Sequence, residues 1–389
     1  MKTNLLNMKS KLRALAIQYK NIIIPILFVL LLPPTAGCIL GFEYREQIIT
    51  HVPFAVVDND NSKMSRELIE KINTNDAFNV QGYGQNDKDI EDWIESGQIV
   101  AGMIIPRDFS ADMLEGKAPK ILVVYDGAQM SMAGQVKSKI SEILGTIRIG
   151  YLLQVMEGNL NMTPAEARNY LQPIAHTNRF LGNPTQSVPY FFLQGILANM
   201  TQIAVFILGL EMTRYKEKRF LTLCKKAIFA ALLGTLSLLI TIWMQTVFFT
   251  VPFKGSIIGA AVLIFLDMIC IANLGIFIRI FIENKLTCLE FAALVMATLM
   301  LAGYTFPTIA MPDIFQKISV YTPFTYLGPT LRDVALLGTG FQQAWPSICR
   351  LTGMVIFTWL VLLVICQSSG ISSIFKNALS RLWKKEVHS

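Results

Sequence analysis

The chain lacks the short motifs that carry chemistry in many enzymes. No G-x-x-x-x-G-K-[ST] segment is present, so the chain has no P-loop for nucleotide phosphates. The patterns H-E-x-x-H, C-x-x-C and G-x-S-x-G, typical of zinc hydrolases, thiol redox proteins and serine hydrolases, are also missing. We therefore predict that this chain has no catalytic residue and no metal ligand, and that it binds no cofactor. We also predict that it is not a self-sufficient enzyme.

Cysteine and histidine are few and scattered. The cysteines are Cys38, Cys224, Cys270, Cys288, Cys349 and Cys366. None lies between residues 43 and 188, so a disulfide framework is excluded there, and none has the spacing of metal ligands. The histidines are His51, His176 and His388. The first two could approach each other, but we expect ordinary surface positions.

Charged residues are scarce, at 16% of 389, whereas soluble domains average roughly 25%. The net charge of +7 would suit nucleic acid as a partner. The basic residues are instead distributed beside apolar runs, so we expect no nucleic-acid partner.

Long apolar runs are what the chain has in abundance. One occupies Ile22–Gly41, and five more follow between Pro189 and Cys366. A membrane span needs roughly 20 consecutive apolar residues, and the interval after the first run is long enough for a folded domain. The predicted fold class is an α-helical polytopic membrane protein with six transmembrane helices and an inserted extracytoplasmic α/β domain.

Basic residues mark every second connection between these runs, as Lys9, Arg214, Lys285 and Lys376 illustrate. The positive-inside rule makes these connections cytoplasmic and places both termini inside. The predicted organisation is a cytoplasmic amphipathic interfacial helix (1–20), a first transmembrane helix (21–42), an extracytoplasmic α/β domain (43–188), a five-helix transmembrane domain (189–368) and a basic cytoplasmic tail (369–389).

The N-terminal region admits two other interpretations. A basic head followed by an apolar run is typical of a cleaved signal peptide, but no small-x-small cleavage site follows. The segment Thr35–Cys38 is similar to a lipoprotein processing box, but it lacks the usual leucine. We therefore favour an uncleaved first span.

Strand and helix patterns alternate in the outer domain. Apolar runs predict strands at Pro53–Val57, Phe78–Val80, Ile99–Ile105 and Ile121–Tyr125. Helices are predicted after the caps Ser62 and Asp87, at Phe109–Leu114 and from Ser131 to Glu157. This alternation favours a small α/β domain around a mostly parallel sheet.

One acidic residue lies deep within an apolar run. Asp267 is well inside the predicted fourth span, six residues before Asn273. An ionisable group at that depth is costly unless it faces partners or water. Two interpretations stay open: a residue of a functional pathway, or a structural carboxylate hydrogen-bonded to Gln194, Asn199 or Gln202 of the second span.

Prolines and glycines are dense between the fifth and sixth predicted spans, in Gly303–Pro307, Met311–Pro312 and Tyr321–Tyr326. Such residues break a helix into short or re-entrant pieces near the outer face. The candidates for these breaks are Gly303, Pro307, Pro312 and Pro323.

Nearly the whole chain resembles the permease subunits of ABC exporters of the ABC-2 type. The order of spans and outer domain matches. So do the fragments VVDND (Val56–Asp60), GQIVAGMIIPRDFS (Gly97–Ser110), GKAPKILVVYDG (Gly116–Gly127) and NRFLGNP (Asn178–Pro184). The loop after the second span departs from the family, because its Gly-Thr pair is missing from Glu211–Arg219.

The resemblance implies a homodimer or heterodimer of permeases over a separate ABC ATPase subunit, which binds ATP-Mg. The implied ATPase-docking candidates are Glu211, Arg214 and Glu217. The implied transport-path candidates are Asn199, Gln202, Asp267 and Tyr304. The substrate would be hydrophobic or amphipathic (drug, peptide, lipid or glycolipid), exported across a bacterial inner membrane in contact with lipid and with a periplasmic adaptor protein.

Two other function classes remain as alternatives. The chain could be a membrane-anchored sensor or a secretion-assembly scaffold whose outer domain binds a ligand. Five closely spaced spans after the domain, and no signalling module, count against a sensor. Co-purification of an ATPase would separate the exporter from both.

Overall fold

A computed structural model describes residues 2–43, 50–115, 117–160, 163, 165–166, 181–183 and 187–367, with most side chains from residue 22 onward. The predicted basic tail over 369–389, two of the histidines (His176 and His388) and most of the Asn178–Pro184 fragment lie outside the described residues. The chain divides into two compact units, which we call the α/β unit (46–179) and the helical unit (1–45 with 180–389).

The α/β unit contains a four-stranded sheet in the order β2-β1-β3-β4. Its strands are β1 (Val52–Asp58), β2 (Phe78–Gly84), β3 (Ala101–Ile105) and β4 (Leu122–Tyr125). Strand β1 pairs in parallel with both β2 and β3, and β4 pairs antiparallel with β3. The prediction of a mostly parallel sheet is confirmed.

Helices cover both faces of this sheet. They are α2 (Lys63–Asn73), α3 (Asp87–Glu95), α4 (Phe109–Leu114) and α5 (Met130–Leu160). Phe54 and Val56 of β1 pack with apolar residues of α2 and α5, whereas Val57 packs with Ile90 of α3. Neighbouring strand residues point to opposite faces, so β1 contributes to two apolar cores.

Strand β2 extends four residues beyond its predicted end, from Val80 to Gly84. Glycine carries no apolar signal, which is why the sequence pattern missed this part. Helix α3 packs closely here, since a Cβ at Gly82 would lie 2.9 Å from the Trp93 ring. The glycines therefore let α3 approach the sheet.

The helix starts use two different caps. Ser62 caps α2 as predicted, accepting a hydrogen bond from the Ser65 N–H at 3.0 Å. The prediction that Asp87 caps α3 is wrong, because Asn86 is the cap residue and Asp87 is already helical. The carboxylate of Asp89 accepts the Asn86 N–H at 3.0 Å, the reach-back contact of a capping box.

Five helices of the described helical unit are long and apolar enough to cross a membrane. They belong to α1 (Lys2–Glu43), α6 (Val188–Met212), α7 (Phe220–Phe248), α8 (Ile257–Phe281) and α13 (Phe341–Gln367). Helix α8 is central and packs against α6, α7 and α13, while α1 packs against α6 and α7. This is a polytopic membrane protein.

The predicted fifth span is divided into two short helices. The segment between α8 and α13 contains α9 (Lys285–Glu290), α10 (Ala292–Leu301), α11 (Asp313–Ser319) and α12 (Phe324–Leu337). At about 1.5 Å per residue, neither α9 nor α10 alone reaches across a hydrocarbon core of about 30 Å. The six-span count therefore stays a prediction.

The N-terminal region forms one continuous helix where the sequence predicts two segments joined near residue 20. Helix α1 runs without interruption through that position to Glu43. No glycine or proline lies between residues 2 and 24, so nothing in this stretch breaks the helix. The amphipathic character predicted for the helix over residues 1–20 stays a prediction, because side chains are described only from residue 22.

We predict that Gly102→Ala destabilises the α/β unit. A Cβ at Gly102 would lie 2.6 Å from two carbon atoms of Ile90. Overpacking of this kind lowers the free energy of unfolding by about 1–3 kcal/mol. Hydrogen exchange of the β1 and β3 amides in the full chain measures the change.

Gly127→Ala is the matched control, since a Cβ there meets no atom within 4 Å. Equal exchange rates for the two variants would contradict the packing described for α3.

Candidate functional site

Asp267 is fully buried in the central helix α8. The side-chain amide of Gln202 on α6 donates to both carboxylate oxygens, at 3.0 Å and 2.8 Å. Of the three partners considered from sequence, Gln202 is thus the one that contacts the carboxylate. An intramembrane acid held in this way has its hydrogen-bonding needs met by a neighbouring helix.

Asn199 extends this contact to a third helix. Its amide nitrogen donates to the Gln202 side-chain oxygen at 3.2 Å and to the Val295 carbonyl of α10 at 3.0 Å. The same nitrogen lies 3.4 Å from the Thr298 hydroxyl. Together these side chains form a polar network, Asp267–Gln202–Asn199–Val295, that connects α8, α6 and α10.

Gln194, the third partner considered from sequence, lies outside this network. Its side chain is fully buried, and its amide atoms make no hydrogen bond to any described residue. Gln194 therefore makes no hydrogen bond with Asp267.

Tyr304 is inserted into the backbone of α6. Its hydroxyl donates to the Phe191 carbonyl at 2.6 Å and accepts the Gly195 N–H at 2.9 Å. In a regular helix these two backbone groups pair directly, four residues apart. A Cβ at Gly195 would lie 2.2 Å from the Tyr304 ring, so only glycine admits the ring at this depth.

The predicted break residues lie at the ends of short elements. Gly303 has a φ of +75° directly after α10, a conformation that favours glycine. Pro307 precedes a single 3₁₀ turn, Pro312 precedes α11, and Pro323 precedes α12. Short helical pieces therefore occupy this region, and their place near the outer face stays a prediction.

Two ion pairs hold the loop between α6 and α7, residues 213–219, and the end of α6 that precedes it. Glu211 pairs with Lys285, and Glu217 pairs with Lys226 at 2.6 Å. The Glu217 carboxylate also accepts the Arg214 N–H at 3.0 Å. Both predicted docking carboxylates are therefore engaged within the chain, whereas the Arg214 side chain is exposed.

The described residues include no group of three or more His, Cys, Asp or Glu side chains placed to hold a metal ion.

Comparison with known proteins decides the family. The model of the ABC-2 family transporter proteins matches residues 22–364, which is most of the chain. The chain belongs to this family. It is a membrane permease of the ABC-2 type.

The ABC-2 permease is similar to several curated proteins. It is 23% identical to the inner membrane transport permease YhhJ of Escherichia coli over 315 residues, covering 77% of this chain and 80% of the relative. It is 20% identical over 356 residues to the probable multidrug ABC transporter permease YbhR of Escherichia coli, covering 84% and 87%. A match to ABC transporter G family member 20 of Dictyostelium discoideum is 22% identical and covers 91% of this chain but 49% of that protein.

Within the permease, the transport-path candidates form two neighbouring groups. Asn199, Gln202 and Asp267 belong to the polar network, and Tyr304 contacts α6 at Gly195. Gly195 and Asn199 are four residues apart, which is about one helical turn. The structure thus brings all four candidates to adjacent turns of α6, and their part in transport stays a prediction.

The sequence pattern did not indicate the basic partners of the docking candidates. Lys226 and Lys285 each pair with a carboxylate. Arg279 Nη1 donates to the Ile282 and Glu283 carbonyls at 2.7 Å and 2.8 Å. Glu217 and Lys226 are close along the chain, whereas Glu211 and Lys285 are far apart, so nothing in the sequence pattern indicates that second pair.

We predict that Gln202→Leu strongly destabilises the helical unit. The substitution removes the donor to both Asp267 oxygens and leaves a buried carboxyl group without its hydrogen-bond partner, which costs about 1–3 kcal/mol. Thermal unfolding of the purified permease in detergent measures the loss.

The double variant Gln202→Leu/Asp267→Leu removes both partners and is expected to recover much of that stability. If the single and double variants unfold at the same temperature, the Gln202–Asp267 contact does not carry the effect.

We predict that Tyr304→Phe loosens the N-terminal part of α6. The variant keeps the ring but leaves the Gly195 N–H and Phe191 carbonyl without their common partner, at a cost of about 1–3 kcal/mol. Hydrogen exchange at the Gly195 amide is expected to accelerate.

Tyr326→Phe is the matched control, because that hydroxyl donates to the Val320 carbonyl at an exposed position. An unchanged Gly195 exchange rate in Tyr304→Phe would show that the hydroxyl does not stabilise α6.

Proposed function

We propose that this chain is the membrane-spanning permease subunit of an ATP-driven ABC-2 exporter, and that it moves a hydrophobic or amphipathic substrate out of the cytoplasm. In this proposal α9 and α10 together supply the sixth crossing, both termini are cytoplasmic, and the α/β unit is extracytoplasmic. The positive-inside rule supports this orientation, because the 213–219 loop is rich in basic residues and Lys285 follows α8.

The observation that carries the coupling to an ATPase is the internal bracing of the 213–219 loop. The Glu217–Lys226 ion pair ties the loop to α7, and the Lys216 N–H donates to the Ile280 carbonyl of α8, at 3.2 Å. Glu211, in the last turn of α6, ties the helix before the loop to Lys285 of α9. A loop and a helix end held by these contacts would pass a push from a partner to the helices that they join.

The charges of this loop define the partner surface that it fits. Glu211 and Glu217 are neutralised by lysines, whereas the side chains of Arg214, Lys218 and Arg219 are exposed. We therefore assign the carboxylates to holding the loop and Arg214 to contact with an acidic surface of the ATPase subunit. ATP and Mg²⁺ belong to that subunit in the proposal, since this chain has no P-loop.

The substrate path would follow α6 and α10 at the interface of two permeases, in a homodimer or a heterodimer. The polar network and Tyr304 both lie between these two helices or beside them. The relatives named as probable multidrug permeases support an apolar or amphipathic cargo. The α/β unit would control release or contact a periplasmic adaptor protein.

We predict that Arg214→Glu uncouples the permease from its ATPase. Reversal of an exposed interface charge weakens association by about tenfold or more, because the acidic partner surface is then repelled. The measurement is ATP hydrolysis and ATPase recovery after purification of the chain at native expression in a mild detergent.

Lys63→Glu is the control, since it reverses an exposed lysine of the α/β unit whose side chain is 92% accessible. Equal ATPase recovery with both variants would reject the docking assignment. If no P-loop ATPase co-purifies with the folded wild-type chain, the exporter proposal fails and ligand binding by the α/β unit becomes the next test.

A further inference from the structure

A groove of about 540 Å³ lies between α8, α10 and α13 in the helical unit. Its walls are mostly apolar and include Phe277 of α8, Leu294 of α10 and Phe357 of α13. The described residues that line it include no Asp, Glu, Lys or Arg. The volume falls within the range of about 300–1,000 Å³ that is usual for small-molecule sites.

A second apolar groove of about 390 Å³ adjoins the first along α8 and α13. The two share Phe277, Phe357 and Val361. An apolar body longer than the first groove therefore has a continuous surface to follow between these helices.

Asn273 supplies a polar group in this apolar lining. The residue lines the larger groove and is only 2% exposed. Its amide nitrogen donates to the Thr358 hydroxyl oxygen at 2.9 Å, and that hydroxyl donates its own proton to the Val355 carbonyl at 2.9 Å. Since the Thr358 oxygen is therefore an acceptor, the Asn273 atom facing it is the nitrogen.

The other amide atom, Asn273 Oδ1, has no hydrogen-bond partner among the described residues. The hydroxyls of Thr298 and Thr322, which also line the groove, donate to the Val295 and Ser319 carbonyls. An unpaired buried acceptor in apolar surroundings is unfavourable, and a bound donor removes that cost.

We propose that this groove binds an uncharged amphipathic molecule from the bilayer, with an apolar body and one hydroxyl group that donates to Asn273 Oδ1. The apolar walls accommodate the body, and the lack of ionisable lining residues selects against a charged head group. The groove shares α10 with the proposed path between α6 and α10, and its other walls are α8 and α13. It requires neither ATP nor the ATPase, so its test is independent of the exporter proposal.

Photo-labelling tests this site in the full-length chain, purified with any co-purifying subunit and placed in lipid nanodiscs. The probes are a long-chain aliphatic alcohol carrying a diazirine and the matching diazirine alkane without the hydroxyl. Mass spectrometry of the labelled peptides is expected to place the alcohol on α10 and α13. The alcohol should label these peptides about 3- to 10-fold more than the alkane does, the ratio that one hydrogen bond supplies.

Asn273→Leu is expected to lower alcohol labelling to the level of the alkane and to leave alkane labelling unchanged. Ala297→Phe, which places a ring within the groove lining, is expected to reduce labelling by both probes. Ser237→Ala is the matched control, because it removes a different buried polar atom without a described partner, on α7 and outside the groove. It should change neither labelling yield.

Three results would overturn the proposal. The first is equal labelling of α10 and α13 by alcohol and alkane in the wild type. The second is an Asn273→Leu variant that is folded, judged by its thermal unfolding, and still prefers the alcohol. The third is that neither probe labels the groove and that two copies of the Ala297→Cys variant form a disulfide with each other. That result would show that a second copy of the chain occupies the groove.

Discussion

The helical unit depends on hydrogen bonds between polar side chains that are buried among apolar helices. Asp267 accepts from Gln202, and Gln202 in turn accepts from Asn199. With little water at this depth, such contacts restrict the rotation of a helix as well as its position. They join α8 to α6 and α6 to α10.

Helix α6 brings together the parts of the molecule that sequence alone suggested separately. Tyr304 contacts its N-terminal turns, the polar network occupies its middle, and Glu211 lies in its last turn before the 213–219 loop. A rigid displacement of α6 would therefore alter all three sets of contacts at once.

Electrostatics in the 213–219 loop illustrates how a family resemblance needs the structure to assign roles. The family resemblance implies two docking carboxylates, Glu211 at the end of α6 and Glu217 in the loop that follows. Their pairing with Lys285 and Lys226 satisfies both charges within the chain, whereas the basic side chains of the loop at Arg214, Lys218 and Arg219 are exposed. The Glu217–Lys226 pair holds this loop to α7 although the family's Gly-Thr pair is missing.

The sequence by itself determined the membrane class, the ABC-2 resemblance, the mostly parallel sheet of the α/β unit and the broken segment after residue 302. These features depend on local periodicity, on the order of segments along the chain, or on residues such as Pro312 that restrict their own backbone conformation. Tertiary structure alone decided the division of the predicted fifth span, the choice of Gln202 over Gln194 as the partner of Asp267, and the insertion of Tyr304 at Gly195. Gln202 and Asp267 are 65 positions apart in the sequence, and Gly195 and Tyr304 are 109 apart. The pattern of side chains along one helix does not show which face of another helix that helix will contact.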